Sequence, residues 1–149
     1  MNVVMTRKDL EKISLCLGNM LSASQATAVF LIDRSGHLIA DHGTAPDVDI
    51  SALAALTAAN FGATAEIAQL LGEEEFSLLF HKGSSESVYF SAIGENAILV
   101  TLFDDKTSLG VIRLRVSQMI DQLSKIVSPI FERERRPLRD APRPSVQEG

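Results

Sequence analysis

Residues 50–71 read ISALAALTAANFGATAEIAQLL, a run of 22 residues without proline in which Glu66 is the sole charge. Its length and apolarity would suit a membrane span. Asn60, Glu66, Gln69 and the Ser/Thr residues, set among Ala rather than Leu, favour instead a helix of a soluble domain, covered on more than one side. Leu53, Leu56, Phe61, Ile67, Leu70 and Leu71 offer the bulk expected of a core. Ala52, Ala55, Ala59, Gly62, Ala63 and Glu66 form a second stripe, of small residues ending in a charge. Small side chains let another backbone approach closely, and a solvated face would normally carry Lys and Glu. The six residues are therefore the candidate interface with a partner or a second copy. That Ala is simply a good helix former would account for the same composition.

Outward from this helix the period changes to two. Upstream, Ala28-Val29-Phe30-Leu31-Ile32 and Leu38-Ile39-Ala40 flank the turn Asp33-Arg34-Ser35-Gly36, which predicts a hairpin with Gly36 at positive φ. Downstream, Phe76, Leu78 and Phe80 alternate with Ser77, Leu79 and His81. A turn at Gly83-Ser84-Ser85 leads to Val88–Ile93, and one at Gly94-Glu95-Asn96 leads to Ala97–Phe103. The last run is almost continuously apolar, as expected of a central strand covered on both faces.

A helix opens and another closes the domain. Thr6 and Asp9 have capping-box spacing, and Leu10, Ile13, Leu17, Met20 and Leu21 follow at helical intervals to about Leu21. From about Thr107 to Phe131, Leu109, Ile112, Val116, Met119, Leu123, Ile126 and Ile130 form a narrow seam, expected to lie on the sheet. Pro129 is placed to kink or finish that helix. The order α-β-β-α-β-β-β-α predicts an α+β domain with a mostly antiparallel five-stranded sheet and helices on both faces. It occupies residues 1–131, and residues 132–149, rich in Arg and Pro, are expected to be a disordered tail.

Composition narrows the function. Residues 1–131 carry 9 Lys/Arg against 15 Asp/Glu, a body too acidic to favour a phosphate backbone, so nucleic acid is not an expected partner. Cys16 is the only cysteine, and the first residues lack the apolar core of a signal peptide, which together point to the cytoplasm without membrane insertion. There is no G-x-x-x-x-G-K-[ST] loop, G-x-S-x-G elbow, cysteine pair or H-E-x-x-H motif. His37, His42 and His81 are scattered and read as surface residues, and Glu73–Glu75 and Asp104-Asp105 as helix-end and solvating carboxylates. No catalytic residue, metal site or cofactor is expected.

Three stretches carry a resemblance: Val29–Gly36, Leu53–Asn60 and Phe103–Arg115, in that order and spacing. With the order of elements they make the chain, from about Thr6 to Phe131, similar to the roadblock/LC7 family. The likeness is greatest to bacterial members that partner a Ras-like polarity GTPase of the MglA type, a likeness extended by Leu70–Glu73, Glu75-Phe76 and Phe80–Gly83. The resemblance implies a homodimer with the central helices side by side and edge strands joining two sheets. It further implies binding of the GTP form of the GTPase across the helix pair, and stimulation of hydrolysis through the GTPase's own catalytic residues. An adaptor subunit without effect on GTP turnover is the other role the family allows.

Overall fold

The computed structural model describes residues 5–74 and 79–140, the last eight by backbone alone. Eight elements follow the expected order: α1 (Arg7–Ser24), β1 (Ala28–Asp33), β2 (Leu38–Gly43), α2 (Ile50–Leu70), β3 (Leu79–Lys82), β4 (Ser87–Ile93), β5 (Ala97–Phe103) and α3 (Leu109–Asp140). The strands form one antiparallel sheet in the order β2-β1-β5-β4-β3. β5 is central and almost wholly buried, as its nearly continuous apolar run requires. Of the alternating segment before it, Phe76, Ser77 and Leu78 lie outside the described residues. From Leu79 onward the alternation holds, with Phe80 stacked on Phe103 at 5.9 Å on one face and Leu79 packed on the other.

The sheet divides the interior in two. On one side α1 supplies Ile13, Cys16, Leu17 and Met20, and α3 supplies Ile112, Val116, Leu123 and Ile130, against Val29, Leu31 and Leu99. On the other, Phe30, Ile32, Phe90, Ile98 and Val100 face α2, whose buried member there is Ala54. The first side holds most of the bulk and hence most of the apolar stabilisation.

Local signals at the helix ends are realised. Thr6 and Asp9 close a capping box at the start of α1. The Asp49 carboxylate accepts from Ala52 N at 3.1 Å and caps α2, and Ser108 Oγ accepts from Val111 N at the start of α3. Two expectations for α3 are corrected. Pro129 does not end the helix: it faces solvent and costs one backbone hydrogen bond inside a seam already held by Leu123, Val127, Ile130 and Phe131. The helix then runs to Asp140, nine residues into the segment expected to be disordered. Glu132–Arg136 are all residue types of good helix propensity. Residues 141–149 lie outside the described residues.

Candidate functional site

α2 lies across one face of the sheet and has small residues at its fully buried positions. Ala54, Thr57 and Ala68 are buried, and Ile50, Leu53 and Phe61 are half-buried beside them. Leu53 and Phe61 thus lie where expected, but the orientation is reversed for the other four bulky residues. Leu56, Ile67, Leu70 and Leu71, expected in the core, are 69%, 50%, 87% and 67% exposed. Phe30, Phe90, Ile98 and Val100 already fill the space above the sheet, which leaves room for small residues at the fully buried positions and for Ile50, Leu53 and Phe61 around them.

Ala52, Ala55, Ala59, Gly62, Ala63 and Glu66 are all exposed. Four of them fall on one line with two of the misassigned leucines: Ala52, Leu56, Ala59, Ala63, Glu66 and Leu70 recur at intervals of four and three. That is the spacing of a lengthwise helix seam, here left exposed on the outer side of α2. Ala55 and Gly62 flank the line on one side, and a side chain added at Gly62 would meet nothing within 4 Å. Sequence reasoning missed Leu56, Ile67 and Leu70 as part of this surface. Their spacing relative to the Ala stripe was the available signal. The helix is long and apolar enough to cross a membrane, and only 11% of its most apolar window is buried in the subunit. A contiguous apolar face of this kind marks a contact surface.

The β1–β2 turn holds the helix from beside. Asp33, almost wholly buried, accepts hydrogen bonds through Oδ1 from Ser35 N and His37 N, both at 2.9 Å, while Oδ2 lies 3.3 Å from His37 Nδ1. Gly36 takes φ +94°, and a Cβ there would stand 3.0 Å from Ala55 Cα, so the turn touches the α2 backbone. Arg34 places its guanidinium 5.3 Å from the Phe61 ring centre.

The histidines stay apart, and one is not on the surface as expected. His42 is half-buried beside Gly18, with Nε2 2.8 Å from Ser14 Oγ. His37 is exposed against Asp33, and His81 meets the Phe90 ring edge-on at 5.4 Å. Among the described residues no three His, Cys, Asp or Glu side chains gather as a metal site would require. Cys16 is buried, which pushes its thiol above the ordinary range.

Comparison with known proteins identifies the architecture. The roadblock/LC7 domain pattern matches residues 12–103. Among solved structures, Myxococcus xanthus MglB is 39% identical, with a TM-score of 0.75 over 79% of this chain and 96% of that one. The gliding protein MglB of Thermus thermophilus is 31% identical, with a TM-score of 0.79 over 86% and 97% of the two chains. A structure described as MglB with tetrameric arrangement is also 31% identical, with a TM-score of 0.80 over 87% and 97%. No curated protein sequence matches the chain.

Proposed function

Because the chain belongs to the roadblock/LC7 domain family, we propose that it is a cytoplasmic homodimer that binds a Ras-like small GTPase of the MglA type and accelerates its GTP hydrolysis. The likeness to two MglB proteins over most of the chain supports the choice of partner. The observation that carries the reading is the outer face of α2, an apolar seam of small and large side chains open along its whole length. Two copies of this seam pack lengthwise in the dimer, with the flanking Ala55 and Gly62 left to the GTPase.

The mechanism is one of selection. Ile50–Leu71 contains no Arg or Lys, and the adjacent Arg34 is engaged over Phe61, so this surface offers no arginine finger. It acts by binding best the GTP-bound conformation in which the GTPase's own catalytic residues are aligned. Occupancy of that conformation rises by the ratio of affinities for the two states. Glu66, the single charge on the seam, calls for a cation opposite it.

The test is GTP turnover by the small Ras-like GTPase of the same organism, with and without this protein. The expected outcome is acceleration that saturates at a fixed ratio of dimer to GTPase. Binding to GTP and GDP forms alike without acceleration would make the protein an adaptor.

A further inference from the structure

On the side of the sheet away from α2, α1 and α3 lie side by side with a furrow between them. One end is a cleft of about 600 Å³ lined by Asp9, Lys12 and Leu15 from α1 and by Lys125, Ile126 and Pro129 from α3. The other is a hollow of about 160 Å³ between Asn19 and Ala23 on one helix and Arg115 and Gln118 on the other. Cys16 and Gln122 line both, so the two are one furrow. Position numbers rise along α1 as they fall along α3, which makes the helices antiparallel. From Asp9 to Ala23 the furrow is about 21 Å long at 1.5 Å per residue, the length of a four-turn helix.

Its chemistry is distinctive. Leu15, 67% exposed, Ile126 and Pro129 give it an apolar side. Lys12, Lys125 and Arg115 stand along the rim, and none of the three makes an ion pair among the described residues. Arg115 gives Nη1–H to Gln118 Oε1 at 3.2 Å, while its buried Nε–H has no acceptor. The wider surface agrees. α1 and α3 as far as Phe131 carry Arg7, Lys8, Lys12, Arg113, Arg115 and Lys125 against Asp9, Glu11 and Asp121. The rest of residues 1–131 has Arg34, Lys82 and Lys106 against 12 acids. This acidic body is basic on one face only.

We propose that the α1–α3 furrow receives an acidic amphipathic helix of a second protein, at a site separate from the α2 surface. A groove between two parallel ridges of side chains takes a third helix ridge-into-groove. The occupant places apolar residues on Leu15, Ile126 and Pro129, and carboxylates opposite Lys12, Lys125 and the outer edge of the Arg115 guanidinium. The chain's own tail has the wrong charge for the rim, with five Arg against four acids in residues 132–149. A flat anionic membrane would reach the rim lysines and leave the furrow unfilled.

The probe is a fluorescein-labelled, stapled helix of about 14 residues, with Leu on one face and Glu on its flanks, titrated into the full-length protein by anisotropy. Its counterpart carries Lys for every Glu. Expected are saturable binding of the acidic helix, none of the basic one, and an affinity that falls with salt. Joint Lys12→Glu and Lys125→Glu replacement weakens binding by about tenfold or more, and Leu15→Ser weakens it at unchanged salt dependence. Unchanged circular dichroism of these variants shows that the fold survives. Absence of saturable binding, equal affinity for the two helices, or indifference to charge reversal overturns the proposal. Two other results do the same. Co-sedimentation with phosphatidylglycerol vesicles that is lost on charge reversal, without peptide binding, assigns the face to a membrane. Self-association lost on charge reversal assigns it to a second copy. GTP turnover reads the α2 surface alone, so failure of either assignment leaves the other standing.

Discussion

The Arg34 guanidinium lies over the Phe61 ring at 5.3 Å and ties the β1–β2 turn to the middle of α2. Asp33, one residue earlier, fixes the turn by accepting from two backbone N–H groups. The turn therefore sets where α2 sits, although it contributes nothing to the outer seam itself. Arg34→Ala is expected to cost only about 0.5–1 kcal/mol of stability, read by urea denaturation. Its effect on GTPase activation should be larger in proportion than its effect on the unfolding midpoint. Activation that falls no further than stability would mean that the contact merely braces the fold.

Gly62→Arg is expected to leave the subunit folded, since nothing lies within 4 Å of a Cβ there. Replacing a helical glycine should even favour the helix by up to about 1 kcal/mol. Binding to the GTPase should be abolished, because a long cation cannot enter a close helix contact. Calorimetric titration decides the matter: a folded variant that still binds would remove Gly62 from the interface.

Exposed and buried leucines of similar size should behave in opposite ways. Leu123→Ala removes a fully buried side chain from between α3 and the sheet and is expected to cost about 2–5 kcal/mol. Leu56→Asp and Leu70→Asp alter exposed positions and should leave subunit stability within about 0.5 kcal/mol. They should dissociate the dimer instead, which sedimentation velocity would detect as a loss of the dimer peak. A dimer indifferent to both replacements would place the subunit contact elsewhere.

The raised Cys16 thiol links stability to alkaline pH. The folded chain keeps this proton at pH values where the unfolded chain has lost it, so the unfolded state binds fewer protons across that interval. Stability is therefore full below the ordinary thiol range and declines as pH rises through the raised folded value. The wild-type urea midpoint should drop relative to that of Cys16→Val over this interval, and the gap should be constant near neutral pH. Alkylation of the native thiol should also be slow, because the thiolate is the reacting form. A midpoint difference that does not change with pH would contradict the assignment.

Where polar and apolar residues alternated sharply, the sequence was enough to orient an element. In α3 the spacing of Ile112, Val116, Leu123 and Ile130 named the buried side, because the charged residues between them had to face water. In β5 six apolar residues broken only by Thr101 fit a central strand. α2 offered no such reference. With one charge in 22 residues, every rotation of the helix about its axis leaves an apolar face outward, and the choice rests on the shape of the sheet beneath. That shape depends on Phe30 and Phe90, which lie far away in the chain. The Ala stripe could be found, but the leucines that share its face could not be placed without the fold. The Ser14–His42 bond has the same character, joining positions 28 residues apart with no local pattern to announce it.

The small size of the fully buried residues of α2 also sets how firmly the helix is held. Ala54, Thr57 and Ala68 bring little side-chain area to the sheet, whereas α1 and α3 bury Ile13, Leu17, Leu123 and Phe131. In an isolated subunit α2 should be among the first helices to open, and its amides should exchange with solvent well before those of α3. Each partner that covers the seam adds protection that the subunit lacks, in proportion to its concentration over its dissociation constant. The working surface would then be a segment whose order rises and falls with the supply of the molecules that use it.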